Sequence, residues 1–204
     1  MAKKELSNTE VKNDKKMRVK ELIFAGAFGA IYIVIMLAVV MLFGTVPVLY
    51  LITPLPVGIV CATIYELCVL KVRKFGAALI LGTLFAITTS SGYLPGLFLA
   101  LGVALVTELV LLAGKYKSKK IFLISYLVFN LNMVCPFANL HFNRAGFLSM
   151  ATEYYGPEYA NGVASMATGW LPFAQIGLAL LGAGIGILIA SKLIKKHFAK
   201  AGIV

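Results

Sequence analysis

The sequence predicts an all-α integral membrane protein with six transmembrane helices and with both termini in the cytoplasm. Three observations support this fold class. Hydrophobic residues make up 60% of the 204 residues and charged residues only 13%, which is unlike a soluble domain. The hydrophobic residues form long runs, and eighteen of the nineteen Lys and Arg residues cluster at the ends of those runs. Basic residues accumulate on the cytoplasmic side of membranes, so the clusters indicate how each run is oriented.

The basic residues form four clusters. They occupy the N-terminal tail (Lys3 to Lys20), two connectors (Lys71 to Lys74 and Lys115 to Lys120) and the C-terminal end (Lys192 to Lys200). Only Arg144 lies elsewhere. Six crossings place all four clusters inside the cell, whereas five or seven crossings place some of them outside.

The first predicted span is the apolar run from Leu22 to Phe43. At about 1.5 Å per residue it is long enough for a hydrocarbon core of about 30 Å. It follows a charged tail (residues 1–21), exceeds the length of a signal-peptide core and lacks a small-residue cleavage pattern, so we expect a span and not a signal peptide.

The second predicted span runs from about Val46 to Leu70 and carries prolines in its first half, where we expect an irregular backbone. Spans three to six follow at Phe75 to Ser90, about Tyr93 to Ala113, Ile121 to about Leu140, and about Trp170 to Ile194. The membrane domain is thus predicted for residues 22–196, with an external loop at about 141–168 and a cytoplasmic C-terminal tail at 197–204.

Composition also limits the partners of the chain. Its net charge of +11 sits at the ends of apolar runs and not on one soluble face, so we expect no nucleic acid partner and expect the lipid bilayer instead. The cysteines at 61, 68 and 135 lie in apolar sequence without a disulfide or zinc spacing, which favours small buried side chains.

Two spans carry strips of small residues at helical spacing, which let helices approach closely in lipid. In span 1 the pairs are Ala25 with Gly29 and Gly26 with Ala30, near the cytoplasmic end where a partner could dock. Span 6 carries Gly182, Gly186 and Ala190, for which packing within the chain is the favoured interpretation.

Two carboxylates, Glu66 and Glu108, lie inside predicted spans. Ionisable groups within a membrane are functional candidates. Both lie within two helical turns of a basic connector, however, so interfacial pairing with Lys or Arg is the favoured interpretation.

The outer end of span 5 and the segment after it form the most polar region of the chain. Asn132, Asn139 and Asn143 share roughly one face if the helix continues that far. They form either a structural network between helices or an outward pocket that His141 to Thr168 closes. The floor of that pocket would be Trp170, Gln175 and the irregular start of span 2.

Two residues of this region carry specific expectations. Arg144, the only basic residue predicted outside, could bind a carboxylate or phosphate, or pair with Glu153 or Glu158. His141 could ligate a metal or haem iron, or be an interfacial histidine. Tyrosines at 154, 155 and 159 and methionines at 133, 150 and 166 lie on the same side.

Several catalytic motifs are absent. The chain has no phosphate-binding loop, so we expect no ATP hydrolysis of its own, and no HExxH motif. Ser90 and Ser91 superficially resemble a nucleophile, but the histidines are His141 and His197, and His197 is predicted on the opposite side. We therefore expect no intramembrane hydrolase.

The six-span layout, the long external segment before span 6, and the Ala25/Gly29 and Gly26/Ala30 pairs resemble the S-components of energy-coupling factor (ECF) transporters. Among these, the chain looks most like the Trep_Strep branch of bacterial integral membrane proteins. The resemblance covers the spans but not the charged tail, and its motif is degenerate.

The resemblance implies a multi-pass protein of the bacterial plasma membrane that captures a micronutrient, such as a vitamin, cofactor precursor or haem-like tetrapyrrole. It would be a transport subunit and not an enzyme, and its partners would be a membrane coupling subunit and two ATPase subunits, docked at the span 1 strip. The pocket positions of the family correspond here to Tyr93, Asn132, Asn139, His141, Asn143, Arg144, Trp170 and Gln175. The chain would hold no cofactor of its own, and haem would be its cargo, with His141 on the iron and Arg144 on a propionate. The alternatives are a stand-alone proton-coupled transporter that uses Glu66 or Glu108, and a membrane enzyme or structural subunit.

Overall fold

The computed structural model describes residues 17–90 and 92–198, and every regular element in these ranges is helical. The charged tail up to Lys16 and the last residues from 199 lie outside the described ranges. The α-helices are α1 (Val19–Gly44), α2 (Pro47–Leu51), α3 (Pro54–Val72), α4 (Ala77–Thr89), α5 (Leu94–Ala113), α6 (Lys119–Phe129), α7 (Ala138–Phe142), α8 (Arg144–Tyr155), α9 (Pro157–Met166) and α10 (Leu171–Leu193). The all-α class is as the sequence predicts.

Five helical stretches are long and apolar enough to cross a membrane, which makes the chain a multi-pass membrane protein. They are Val19–Gly44, Pro54–Val72, Leu94–Ala113, Lys119–Phe142 and Leu171–Lys196. The helix α4 is apolar but has only 13 residues, which extend over roughly 20 Å at 1.5 Å per residue. It is therefore shorter than a typical hydrocarbon core of about 30 Å.

Small residues bring α3 and α10 into backbone contact. A Cβ atom at Gly182 would meet the carbonyl oxygen of Leu55, and one at Gly186 would meet that of Gly58. Ala190, one turn further along α10, is fully buried. The small-residue strip of span 6 thus packs within the chain, as the favoured interpretation of the sequence has it.

Prolines start helices at the beginning of the second predicted span. Pro47 is the first residue of α2 and Pro54 is the first residue of α3, a position where the missing backbone N–H is not needed. Between these helices the Thr53 hydroxyl donates to the carbonyl of Tyr50 at 2.8 Å. The irregular backbone expected in this half is therefore a break between two helices.

The fifth predicted span is not one continuous α-helix. After α6, residues Asn130–Phe137 form a 3₁₀ segment that contains Pro136, and α7 follows. A 3₁₀ helix turns every three residues and is rarely this long. The side chains after Phe129 therefore point in directions that differ from those predicted for an α-helix.

The segment expected as an external loop is mostly helical. It contains α8 and α9, which meet at Gly156, whose positive φ of 88° suits a residue without a side chain. Buried Phe147 and Val163 of these helices form a small core with Phe137 and Leu140. We call α8 and α9 together the helical cap.

The two ends of the bundle differ in charge. At one end Lys74 Nζ lies 2.8 Å from Glu21 Oε2, which joins the start of α1 to the connector after α3. At the other end the Tyr159 hydroxyl of the cap donates to the carbonyl of Gly44, the last residue of α1, at 2.8 Å. We call the first end the basic end and the second the cap end.

Candidate binding site

A cavity of about 580 Å³ lies beneath the helical cap, against α1, α2, the end of α4 and the 3₁₀ segment. Four tyrosines contribute to its wall, two from the ends of α8, one from α2 and one from α9. They are Tyr50, Tyr154, Tyr155 and Tyr159. We call this cavity the tyrosine pocket.

The tyrosine pocket has a buried floor and an exposed rim. Met36, Met133 and Phe137 line it and are at most 3% exposed. Tyr154 and Tyr155 line it too, but are 73% and 61% exposed. A small molecule would therefore enter past the two exposed tyrosines and come to rest on methionine and phenylalanine side chains.

The aromatic side chains of the pocket contact one another in ordered pairs. The ring centroids of Tyr50 and Phe147 lie 6.2 Å apart with their planes inclined by 19°. Those of Tyr155 and Tyr159 lie 4.7 Å apart at 26°. Offset stacking of this kind is a favourable arrangement for aromatic rings, and all four of these rings line the cavity.

Two threonine hydroxyls that line the pocket donate to backbone carbonyls of the preceding helical turn. Thr53 donates to the Tyr50 carbonyl at 2.8 Å, and Thr88 to that of Leu84 at 2.7 Å. A hydroxyl has one proton, so these groups have only lone pairs left to offer a ligand. The Tyr159 hydroxyl donates to Gly44, and burial raises its pKa to about 12. It therefore stays protonated at neutral pH and holds the cap against α1.

A second cavity, of about 640 Å³, is lined mainly by apolar side chains of α5, the 3₁₀ segment, α7 and the start of α10. His141, Arg144 and Cys135 also line it. We call it the lateral groove. It contains two of the predicted site residues, and neither of them lines the tyrosine pocket.

Arg144 holds the end of the cap. Its guanidinium donates to the carbonyls of Ala164 at 2.6 Å and Ala167 at 3.0 Å, at the C-terminal end of α9. Carbonyls at a helix C-terminus lack intrahelical partners and attract a positive charge. The structure thus gives Arg144 backbone partners at the end of α9, where the sequence suggested Glu153, Glu158 or a ligand.

His141 and Gln175 connect three helices. The His141 Nε2 atom lies 2.9 Å from Gln175 Oε1, and the buried Gln175 amide nitrogen donates to the Leu51 carbonyl at 3.4 Å. Because an amide oxygen only accepts hydrogen bonds, this contact requires a proton on Nε2. A nitrogen that carries a proton and donates it cannot ligate a metal in the same state.

Asn130, Asn132 and Asn139 are buried and Asn143 is exposed, and these asparagines do not form one network. Asn130 donates to the carbonyls of Pro54 at 3.2 Å and Ala179 at 2.7 Å, which joins α3 to α10. The amide atoms of Asn132 are buried and have no partner among the described residues. The Asn143 amide donates to Asn139 Oδ1 at 3.0 Å.

The remaining predicted site residues lie apart. Tyr93 lines a third, shallow apolar cavity with Phe98 and Phe142. Trp170 is 66% exposed just before α10. The eight predicted residues are therefore distributed over several places, and the structure directly joins His141 to Gln175 and Asn139 to Asn143.

None of the eight predicted site residues lines the tyrosine pocket. The sequence analysis noted three of its tyrosines, Met133 and Met150 as neighbours of the polar region, but gave no role to Tyr50, Thr88 or Met36. Two features of the sequence could have pointed to this pocket, namely the tyrosines within residues 154–159 and the threonines at the end of span 3.

The two intramembrane carboxylates are both buried but differ in their partners. Glu108 accepts backbone hydrogen bonds from Gly76 at 2.9 Å, Ala78 at 3.0 Å and Leu79 at 3.1 Å, and one from the Tyr116 hydroxyl at 2.7 Å. It thus caps the N-terminus of α4. Glu66 is 1% exposed and its Oε1 atom has no hydrogen-bond partner within the described ranges.

The small-residue strip of α1 divides between two faces. Ala25 and Gly29 are buried, and a Cβ at Gly29 would meet the side chain of Leu84 on α4. Gly26 has open space around its Cα, and Ala30 is exposed. The second pair is therefore the one that faces away from the bundle.

The long apolar helices define a multi-pass α-helical membrane protein, and residues of the helical cap line two of its cavities. The family described as hypothetical bacterial integral membrane protein (Trep_Strep) matches residues 19–200. The chain belongs to this family. No curated protein and no solved structure matches the chain.

Proposed function

We propose that the protein is the substrate-binding subunit of an ECF-type importer in the bacterial plasma membrane, where it captures a micronutrient from the extracellular side. The observation that carries the proposal is the tyrosine pocket beneath the helical cap. Its volume of about 580 Å³ falls within the range typical of small-molecule sites, about 300–1,000 Å³. The rim is open at the cap end and the floor is closed, a shape that suits the capture of a small molecule from that side.

The proposed topology has six crossings, with the basic end in the cytoplasm and the cap end outside. In support, Gly76, the N-cap residue of α4, donates to Glu108 near the basic end. At the other end of this helix, Thr88 of the last turn lines the tyrosine pocket. The short helix therefore connects the two ends of the bundle. With α4 counted, all four basic clusters fall on one side, as basic residues do near cytoplasmic loops.

ATP-driven transport would require a partner that hydrolyses ATP, because the chain has no phosphate-binding loop. The proposed docking surface for a membrane coupling subunit and its two ATPases is the outward pair Gly26 and Ala30. These residues lie in the first half of α1, toward the basic end. Small residues on an exposed helix face allow another membrane helix to approach its backbone.

The cargo is proposed as a vitamin, a cofactor precursor or a haem-like tetrapyrrole. The His141 Nε2 atom lies against Gln175, so a haem ligated by this atom would have to break that contact. The Arg144 guanidinium would have to release the carbonyls of Ala164 and Ala167 to meet a propionate. Among the described residues these two costs favour the tyrosine pocket over the lateral groove as the cargo site.

A stand-alone proton-coupled transporter remains the second candidate, and one observation favours it. Glu66 is buried with an unpartnered carboxyl oxygen, and intramembrane carboxyls of this kind serve as proton carriers in transporters. Glu108 suits that role less well, because its carboxylate accepts four hydrogen bonds that hold α4 and the connector at Tyr116.

The proposal is tested by affinity purification of the protein from its native membrane, followed by identification of the attached proteins. We expect two ATPase subunits and one further membrane protein. In Ala30→Leu, which adds bulk to the outward strip, we expect their yield to fall at least about tenfold while thermal stability is unchanged, because Ala30 is exposed.

The matched control is Ala38→Leu, the same change at an exposed position of α1 nearer the cap end. Gly29→Leu is unsuitable, because its side chain would collide with Leu84 and disturb the bundle itself. Equal partner yields from Ala30→Leu and Ala38→Leu would contradict docking at this strip. ATP-independent uptake by the purified chain alone, abolished in Glu66→Gln, would favour the proton-coupled alternative.

A further inference from the structure

We infer that the tyrosine pocket holds a planar, uncharged heteroaromatic ring system, which enters ring first and leaves any charged substituent at the rim. The inference rests on the proposed function, since it assumes that the pocket captures a small molecule. It adds the chemical class of that molecule and its orientation, and both follow from the side chains that form the pocket.

The charge of the ligand follows from the lining. Within the described ranges no Lys, Arg, His, Asp or Glu lines the tyrosine pocket. A charge that enters a largely apolar cavity loses its hydration and needs a partner to replace it. The floor formed by Met36, Met133 and Phe137 supplies none, so the part of the ligand that reaches it must be neutral.

The shape of the ligand follows from the aromatic pairs. Tyr50 and Phe147 lie nearly parallel to each other, as do Tyr155 and Tyr159, and all four rings line the tyrosine pocket. A flat ring can stack on such faces, and thioethers such as that of Met150 add polarizable contacts at ring edges. A bulky saturated molecule gains neither interaction.

The polar edge of the ligand follows from the hydroxyl groups. The Thr53 and Thr88 protons are already donated to backbone carbonyls, so these oxygens can only accept a hydrogen bond from the ligand. The phenols of Tyr154 and Tyr155 at the rim can donate or accept. A heterocycle with an acceptor atom can use the rim phenols, and one that also carries a donor can use the threonine oxygens, whereas a pure hydrocarbon leaves both unused.

The orientation follows from the exposure gradient. The rim residues Tyr154 and Tyr155 are more than half exposed, and the floor is closed. A charged tail can stay hydrated only at the rim. The ring therefore lies inside and the tail outside, which is the reverse of a site that recognises its ligand by an anionic group.

The test uses four probes of similar size with the full chain in uncharged phosphatidylcholine nanodiscs. They are isoquinoline, which is neutral at pH 7.4, its N-methyl cation, its 3-carboxylate and the saturated ketone 1-decalone. Binding is measured by saturation-transfer NMR on the probe, with empty nanodiscs as the background. We expect isoquinoline to bind at least about tenfold more tightly than the N-methyl cation and 1-decalone, since about 1.4 kcal/mol corresponds to tenfold. The 3-carboxylate, whose charge can stay hydrated at the rim while its ring enters, should bind nearly as tightly as isoquinoline.

The pocket is then assigned with variants at its exposed rim, which should not disturb folding. Tyr155→Ala should weaken isoquinoline binding at least about fivefold, and Tyr155→Phe, which keeps the ring, should retain it. Trp170→Ala is the control, because Trp170 is an exposed aromatic residue that does not line the tyrosine pocket.

Each other result overturns the inference. Equal or tighter binding of the cation would show a site for charged rings, and equal binding of decalone would show that stacking is not used. Binding of the carboxylate that is weaker by about tenfold or more would contradict the ring-first orientation. Isoquinoline binding that is absent, or unaffected by Tyr155→Ala, would remove the ligand class from this pocket. These results leave the proposed function standing if the ATPase partners co-purify with the chain, and loss of those partners is the separate failure of the proposed function.

Discussion

The carboxylate of Glu108 is predicted to be a structural cap and not a proton carrier. It accepts backbone N–H groups of Gly76, Ala78 and Leu79, and the Tyr116 hydroxyl, at 2.7 to 3.1 Å. The helix α4 has no side-chain cap of its own, since its N-cap residue is Gly76. The negative charge also lies at the positive end of the α4 dipole, which is favourable.

The expected cost of Glu108→Gln follows from these contacts. The glutamine keeps one carbonyl oxygen, but its NH₂ group faces donors where the second carboxylate oxygen accepted their hydrogen bonds. Hydrogen bonds to charged groups contribute about 1.5–3 kcal/mol each, so losing two of them should destabilise the fold by about 3–6 kcal/mol. At about 2–4 °C per kcal/mol for a chain of this size, Tm should fall by about 6–24 °C.

The assay uses the three buried free cysteines as reporters of unfolding. Cys61, Cys68 and Cys135 react with a thiol-specific fluorogenic dye only when the helices separate. Glu66→Gln is the matched control, because Glu66 Oε1 has no hydrogen-bond partner to lose in the described structure, and we expect its Tm to stay within about 2 °C of wild type. A Glu108→Gln protein that melts like wild type but no longer transports would refute the capping role and restore Glu108 as a proton carrier.

Three further predictions concern packing and the cap. Gly186→Ala should lower Tm by several degrees, because the added Cβ would meet the Gly58 carbonyl. Gly184→Ala, with open space around it, should leave Tm unchanged, and the thiol-dye assay measures both. Arg144→Ala should speed amide hydrogen exchange at the end of α9, where two carbonyls lose their donor, and unchanged exchange would contradict that role. Tyr159→Phe removes the hydrogen bond to Gly44 and should speed amide hydrogen exchange throughout α9. In wild type this exchange, corrected for intrinsic rates, should stay slow from about pH 6 to 9, because burial raises the pKa of Tyr159 to about 12.

Hydropathy and charge were sufficient to predict most of the helices. The run predicted from Leu22 to Phe43 corresponds to α1, and that from about Trp170 to Ile194 corresponds to α10. Long apolar runs allow few alternatives in a membrane, where every backbone polar group needs a partner. The prolines at 47 and 54 correctly indicated the break in the second span.

The 3₁₀ segment and the pocket could not be predicted in the same way. Hydropathy does not distinguish an α-helix from Asn130–Phe137, and Pro136 was the only local indication of a break. The predicted face shared by Asn132, Asn139 and Asn143 assumed 3.6 residues per turn and therefore failed after Phe129. The tyrosine pocket unites residues more than a hundred positions apart, such as Met36 and Tyr155, and only the packing of the cap on α1 and α2 brings them together.

The most direct test of the account is a native mass spectrum of the complex isolated from its own membrane. It should contain one copy of this chain with a membrane coupling subunit and two ATPases, and this chain, once released, should carry a bound small molecule with a planar ring. A spectrum of the chain alone, without ATPases, together with uptake by the purified chain in the absence of ATP, would contradict the proposed function.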